Sequence, residues 1–203
     1  MKVLMGLGNP GDEYAATRHN VGFRVAEEVL RRHGARRAGR RCRSLVAETS
    51  LDAVPVLVAR PLTFMNRSGA AAVELLRAAE AEPADLLVVC DDLNLDLGVL
   101  RLRARGSHGG HNGLLAIVEA LGTREFPRLR VGVGPPDPGV PHAEFVLAPF
   151  RRRDREAVEA MVGQAADGAE TALTAGIQAA MNRFNRRPLP TEDGGRPDAG
   201  GRT

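Results

Sequence analysis

Histidine, aspartate and asparagine residues stand at the ends of predicted strands and helices in this chain. His19 opens the first predicted helix, Asp91 closes a wholly apolar run, and Asn9 follows the first predicted strand. Folds that alternate strands and helices bind ligands at such ends. A histidine can activate water as a general base, and a carboxylate can orient it. These residues are therefore candidates for a hydrolytic site, although His19 alone is more often a packing or capping residue, and Asp91 with Asp92 could merely begin a turn.

Three asparagines add to this pattern. Asn66 and Asn112 each precede a predicted helix, and the default interpretation of both is an N-cap. Together with Asn9, these residues make three asparagines around one predicted crevice, which is more than helix capping requires. Their neutral amides could bind a peptide carbonyl or position a water molecule.

A glycine-rich loop covers residues 105–113, with the sequence Arg-Gly-Ser-His-Gly-Gly-His-Asn-Gly. Glycine permits positive φ angles and lets a ligand approach the backbone closely. So many glycines on one loop cost more conformational entropy than a simple turn requires. We therefore expect this loop to form the lip of a site.

Other catalytic chemistries lack their sequence patterns. His108 and His111 could ligate a metal, but the glycines between them leave no helix to aim both rings, and the H-E-x-x-H pattern is absent. The G-x-S-x-G pattern of a serine nucleophile is also absent. Cys90 lies in an apolar strand, where a thiol packs and does not attack. A metal-free site that uses a general base remains.

The segment Gly6-Leu-Gly-Asn-Pro-Gly11 matches the G-x-G-x-x-G dinucleotide fingerprint. Asp12 and Glu13 follow at once and would repel a pyrophosphate, and the chain lacks the expected acidic residue about twenty positions on. A nucleotide cofactor is therefore disfavoured, and the glycines are expected to make a tight turn that presents Asn9.

Length and composition predict one domain, residues 1–187, followed by a disordered tail rich in proline and glycine, residues 188–203. No apolar run approaches the roughly 18 residues of a membrane span, and two cysteines give no disulfide framework. We expect a reduced, cytoplasmic protein. The net charge is only +3, but all basic residues except Lys2 are arginine, which binds phosphate oxygens in pairs.

Strand and helix patterns alternate along the chain. The patterns predict strands at 3–8, 45–51, 54–59, 86–90, 98–103, 129–133 and, shortest, 145–147. They predict helices over 17–34, from residue 66 to about 82, over 112–121, and over 152–184 with possible breaks at Gly163, Gly168 and Gly176. Residues 36–43 are expected to be exposed. The fold class is therefore α/β: a single three-layer domain with a mixed, mostly parallel central sheet flanked by helices.

Five separated motifs resemble those of bacterial peptidyl-tRNA hydrolases, in the family's order and spacing. They are Gly6-Leu-Gly-Asn-Pro-Gly, Tyr14-Ala-Ala-Thr-Arg-His-Asn20, Pro61-Leu-Thr-Phe-Met-Asn66, Asp91-Asp92-Leu and Gly106-Ser-His-Gly-Gly-His-Asn-Gly-Leu114. The segment Phe126-Pro-Arg-Leu-Arg-Val-Gly-Val-Gly134 matches too, so that the resemblance covers about residues 1–184.

The resemblance implies a monomeric, metal-independent enzyme without a cofactor that hydrolyses the ester between a peptide and the terminal ribose of tRNA. It assigns His19 as the base for water and Asp91 as the carboxylate that orients His19. It assigns Asn9 to the recognition of a blocked amino group. The remaining assignments are to the tRNA end and peptide (Tyr14, Phe64, Asn66, Asn112) and to the tRNA backbone (Arg101, Arg103, Arg130).

Two positions depart from the family pattern: Cys90 stands where histidine is common, and Asn94 where an acid is common. The rival function is a catalytically inactive RNA-binding protein of the same fold. The joint presence of His19, Asp91, Asn9 and Asn112 argues against that rival, since RNA binding alone needs no histidine–carboxylate pair.

Overall fold

The computed structural model describes residues 1–185, so that the predicted tail, 188–203, lies outside the described residues. The described strands are β1 (Lys2–Gly6), β2 (Arg36–Arg41), β3 (Ser44–Leu51), β4 (Val54–Pro61), β5 (Leu86–Asp92), β6 (Leu100–Arg103) and β7 (Arg128–Gly132). The described helices are α1 (Val21–His33), α2 (Ser68–Ala78), α3 (Asn112–Leu121), α4 (His142–Leu147), α5 (Arg155–Thr174) and α6 (Ile177–Phe184). Among these helices, none is long and apolar enough to cross a membrane.

The strands form one mixed sheet in the order β2-β3-β4-β1-β5-β7-β6. The four central strands, in the order β4-β1-β5-β7, pair in parallel, and the pairs toward both edges are antiparallel. The apolar run predicted to be a central strand is β5, which is buried along its whole length. The α/β class and the mixed sheet are thus confirmed, with parallel pairing restricted to the centre.

Helices cover both faces of the sheet. Leu4 of β1 packs with α1, α5 and α6, whereas Val3 and Met5, on the opposite face, pack with α2 and α3. Side chains alternate across a strand, so that one short apolar strand contributes to two cores. This burial on both faces explains why β1 and β5 are almost uninterrupted apolar runs.

The structure contradicts one sequence-based expectation and adds detail to two others. Residues 36–41 are exposed as expected, but they form an edge strand whose two faces both contact solvent and therefore carry no apolar signal. Residues 145–147 belong to α4 instead of a strand, because Phe145 and Val146 pack inward from one helical turn. Helix α5 continues through Gly163 and Gly168, and the chain breaks only at Gly176, where φ is 92°.

Glycine at positions 6 and 22 lets α1 lie directly against the sheet. A Cβ on Gly6 would lie 2.1 Å from the carbonyl oxygen of Gly22, and a Cβ on Gly22 would lie 2.5 Å from that of Val89. Gly6 therefore serves close helix packing, and not the turn predicted for it. This packing fixes the start of α1 beside the ends of β1 and β5.

Candidate active site

Six of the seven predicted site residues line a cavity of about 970 Å³ at the carboxyl ends of β1 and β5. Its lining includes Asn9, His19, Phe64, Asn66, Asp91 and Asn112, together with Arg130. Gly109 and Gly110, at φ angles of 57° and 81°, form part of the wall, as expected for the lip of a site. Tyr14, half-buried in the 3₁₀ turn Asp12–Tyr14, and the exposed Arg101 and Arg103 are outside this lining.

His19 and Asp91 form a hydrogen-bonded pair. His19 stands in the 3₁₀ turn Arg18–Asn20 just before α1, and its Nδ1 lies 2.8 Å from Oδ1 of Asp91. The Asp91 side chain is 3% exposed and that of His19 is 13% exposed. Burial opposes ionisation of Asp91, but the neighbouring imidazoles of His111 and His19 outweigh it, so that the pKa of Asp91 lies well below its ordinary value. Asp91 is therefore a carboxylate that can orient His19 and stabilise its protonated ring.

His111 is a third member of this cluster, which the sequence analysis considered only as a metal ligand. Its Nε2 lies 3.1 Å from Oδ1 of Asp91, and its Nδ1 accepts the backbone N–H groups of Gly113 and Leu114. Because Nδ1 accepts, the ring proton of neutral His111 resides on Nε2 and is donated to Asp91. His111 thus caps α3 and ties that helix to the carboxylate. The sequence signal for this cap is the position of His111 directly before the α3 pattern, one residue before the predicted cap, Asn112.

The same cluster offers ligand atoms of three residues within 4.8 Å of one another. A cation there would require His111 to lose its Nε2 proton, because metals bind the unprotonated nitrogen. It would also compete for the oxygen atom that already accepts two hydrogen bonds. The distances of 2.8 and 3.1 Å are those of hydrogen bonds. The two imidazoles therefore satisfy Oδ1 of Asp91 by hydrogen bonding, without a metal ion.

Asn9 is held with its amide nitrogen available. Its Oδ1 accepts the backbone N–H of Met65, and its backbone N–H and carbonyl are both bonded to the buried side chain of Asn20. The Nδ2 atom has no partner among the described residues, so that Asn9 presents a hydrogen-bond donor to the cavity. Asn20, which was not predicted as a site residue, supports this arrangement.

Asn66 and Asn112 do not act as helix caps. The cap of α3 is His111, and α2 follows a 3₁₀ turn, Met65–Arg67, with no side-chain cap. Both asparagines are exposed and line the cavity, and their amides have no hydrogen-bond partner among the described residues. The capping interpretation was wrong, and both amides are available to a ligand.

Arg130 is engaged inside the protein. Its guanidinium lies 3.1 Å from Oδ2 of Asp92 and donates to the carbonyls of Ser107 and His108, and the side chain is 11% exposed. Asp92 and Asp91 thus bind different groups, as expected for neighbours on a strand. Arg130 holds the glycine-rich loop against β5.

Arg18 fixes α4 beside His19. Its guanidinium donates to the carbonyls of Phe145, Ala148 and Pro149 and lies over the Phe145 ring at 4.2 Å. Four residues of α4 line the cavity: His142, Ala143, Val146 and Leu147. The turn Arg18–Asn20, which carries His19, therefore also positions α4 as one wall of the cavity.

The two residues that depart from the family pattern, Cys90 and Asn94, are not members of the cluster of His19, Asp91 and His111. Cys90 is fully buried in β5, where burial raises the pKa of its thiol, which agrees with a packing role. The backbone N–H of Asn94 donates to Asp92 at 2.9 Å.

Comparison with known proteins supports the resemblance seen in the motifs. The family model described as peptidyl-tRNA hydrolase matches residues 3–192. A peptidyl-tRNA hydrolase of Symbiobacterium thermophilum is 47% identical over 91% of this chain and 98% of its own, and one of Desulforudis audaxviator is 44% identical over 96% and 98%. The crystal structure of peptidyl-tRNA hydrolase from Acinetobacter baumannii superposes with a TM-score of 0.84 at 31% identity and covers 91% of this chain and 94% of that one. The chain belongs to the peptidyl-tRNA hydrolase family.

Proposed function

We propose that this protein hydrolyses the ester bond between a peptide, or an N-blocked aminoacyl group, and the 3′-terminal ribose of tRNA. In this proposal His19 is the general base for the attacking water. The observation that carries the proposal is the bond of 2.8 Å between Asp91 and Nδ1 of His19. It leaves Nε2, which has no partner among the described residues, to accept a proton from water.

The reaction follows from this geometry. His19 removes a proton from water as the water oxygen attacks the ester carbonyl carbon, and Asp91 stabilises the imidazolium that forms. Nearby amide donors can bond the carbonyl oxygen as it becomes negative. The bond from carbon to the ribose oxygen then breaks, and His19 returns the proton to that oxygen. General-base catalysis contributes on the order of 10²–10⁴ in rate, and fixed placement of the ester contributes much of the rest.

Substrate selection is assigned to the unpaired amides. Asn9 offers a donor to the carbonyl of an N-blocked residue, whereas Asn66 and Asn112 can bond the peptide or the tRNA end. Phe64, 55% exposed at the cavity, offers an apolar surface to the same groups. We assign Tyr14, which is outside the cavity lining, to the tRNA end.

The tRNA backbone is assigned to Arg101 and Arg103. They share the exposed face of β6, while Leu100 and Leu102 are buried beneath them. Each phosphate they neutralise should steepen the log–log salt dependence of binding by about 0.7–0.9. We assign Arg130 to the backbone only secondarily, because its guanidinium is already engaged by Asp92.

We propose that the catalytic unit ends by residue 187, that the protein acts as a monomer and that its place is the cytoplasm. Asn185 bonds both the N–H and the carbonyl of Leu102, so that the chain following α6 is anchored to the sheet before the predicted tail begins. Removal of residues 188–203 should therefore cost little activity.

The test measures release of tRNA from N-acetyl-aminoacyl-tRNA and from free aminoacyl-tRNA, with EDTA present. Wild type should cleave only the blocked substrate, and His19→Ala should lose turnover while it still binds tRNA. His33→Ala, at the far end of α1, is the matched control and should retain full activity. Binding of tRNA by wild type without cleavage would instead support the inactive RNA-binding alternative.

A further inference from the structure

A second cavity of about 700 Å³ adjoins the candidate active site. Phe64, Asn66 and Arg67 line both cavities. The floor of the second cavity consists of small residues from α2 and α3, which are Gly69, Ala70, Ala116 and Ala120. We name it the α2–α3 groove.

We propose that the α2–α3 groove is a second subsite, which binds the part of the peptide beyond the residue esterified to tRNA. This inference rests on the proposed function, since it concerns the same substrate. It assigns Phe64 to the boundary between the ester site and the groove.

The distances fit a short extended peptide. Helix α3 begins at Asn112 in the active site, and Ala116 and Ala120 follow four and eight residues later. At 1.5 Å per helical residue they lie about 6 and 12 Å further along the axis. An extended chain covers about 3.3 Å per residue, so that the groove spans about two to four peptide residues.

The lining suits a peptide of varied sequence. Leu62 and Phe64 are 37% and 55% exposed and can bury apolar side chains of a ligand. Thr63 also lines the groove, although its Oγ1 is buried and has no hydrogen-bond partner among the described residues. The floor is rigid, because a Cβ on Gly69 would lie 2.2 Å from the Ala116 carbonyl oxygen, which shows how closely the two helices pack.

The charges at the rim give RNA no net attraction to the groove. Arg43 is paired with Glu74 at 2.6 Å, and the exposed charges of Arg67 and Glu119 offset each other. The exposed arginines of β6 lie at one edge of the sheet, whereas β4, which leads into this groove, lies on the other side of β1 and β5. A tRNA bound toward β6 would therefore leave the α2–α3 groove to the peptide.

The test compares N-acetyl-alanyl-tRNA with a substrate that carries N-acetyl-pentaalanine on the same tRNA. Ala120 is exposed, so that Ala120→Leu fills the groove without disturbing the core. We expect it to lower kcat/KM about tenfold for the long substrate and less than about twofold for the short one. Ala160→Leu, at an exposed position of α5, is the matched control and should change neither.

Leu62→Ala provides an independent check, because it removes an exposed apolar side chain that lines the groove but not the active-site cavity. It should also lower kcat/KM for the long substrate selectively. Cleavage of the short substrate by every variant reports the proposed function separately. An unchanged rate of Ala120→Leu on the long substrate would overturn the subsite, and an equal loss on both substrates would overturn it in favour of tRNA binding in the groove.

Discussion

Oδ1 of Asp91 lies 2.8 Å from Nδ1 of His19, so that a buried carboxylate determines which edge of the imidazole faces the cavity. The same oxygen accepts a second hydrogen bond, from His111 at 3.1 Å. One atom therefore connects the end of β5, the turn before α1 and the start of α3. The orientation of His19 and the position of α3 therefore both depend on this oxygen atom.

Replacement of Asp91 by asparagine should separate charge from shape. We expect turnover to fall about 10²-fold at pH 7, because the imidazolium loses its counter-charge. We also expect the free energy of unfolding to fall by about 1–3 kcal/mol. The pKa of Asp91 in the fold is below the ordinary value of 3.8, so that its ionised form stabilises the protein above that pH, and this contribution is lost as the pH falls through the lower folded pKa.

Denaturant titrations at pH 7, 5 and 3 check the sign of this effect. The difference between wild type and Asp91→Asn should be full at pH 7 and 5 and begin to shrink near pH 3. A difference that grows on acidification would contradict a depressed pKa.

Two substitutions of His111 should distinguish its two contacts. Asparagine is a good N-cap, so that His111→Asn should retain the bond to the start of α3 and lose the bond to Asp91. His111→Ala should lose both and destabilise the fold by about 1 kcal/mol more. We expect similar losses of turnover in both variants but a lower melting temperature in the alanine variant than in the asparagine variant. Equal melting temperatures would show that the cap contributes nothing.

The sequence predicted the sheet and most of the site because their signals are local. β5 is a continuous apolar run that ends in Asp91, and the glycine-rich loop precedes a periodic helix that ends at Gly122. These patterns place His19 and Asp91 at element ends, and the resemblance to peptidyl-tRNA hydrolases implies their roles.

What the sequence could not predict depends on tertiary contacts. The contact of His111 with Asp91, the support of Asn9 by Asn20 and the engagement of Arg130 by Asp92 all join residues from different elements. Strand β2 has no apolar face and is joined to the sheet by its pairing with β3 and by ion pairs of Arg37 and Arg41 with Glu48. The second cavity is formed by the packing of α2 against α3, which no local sequence pattern shows.

A surface ion-pair network provides a pH-dependent test that is independent of catalysis. Hydrogen bonds from Arg31 and then Arg32 lower the pKa of Glu28 from 4.5 to about 2. Ionised Glu28 therefore stabilises the fold above about pH 4.5, and its contribution is lost as the pH falls toward 2. Because water screens this partly exposed pair, we expect Glu28→Gln to cost only about 1 kcal/mol at pH 7.

The measurement is the melting temperature of wild type, Glu28→Gln and Glu119→Gln between about pH 7 and pH 2. Glu119 is exposed on α3 and makes no ion pair among the described residues, so that its variant should follow wild type. Glu28→Gln should converge on wild type near pH 2. A constant gap would mean that the charge of Glu28 does not stabilise the fold.

The close approach of α1 to the sheet makes Gly22 the sharpest test of how the fold positions the base. A Cβ there would lie 2.5 Å from both the Leu7 nitrogen and the Val89 carbonyl oxygen, so that Gly22→Ala must displace α1 and, with it, the turn that carries His19. We expect a loss of about 1–3 kcal/mol in the free energy of unfolding, with a fall in kcat that persists at temperatures where the variant is folded. Gly163→Ala on α5 meets nothing closer than 3.5 Å and should stabilise the protein by about 0.4–1 kcal/mol through the unfolded state. If Gly22→Ala instead gained stability as Gly163→Ala does, and kept full kcat, the placement of His19 by helix packing would be wrong.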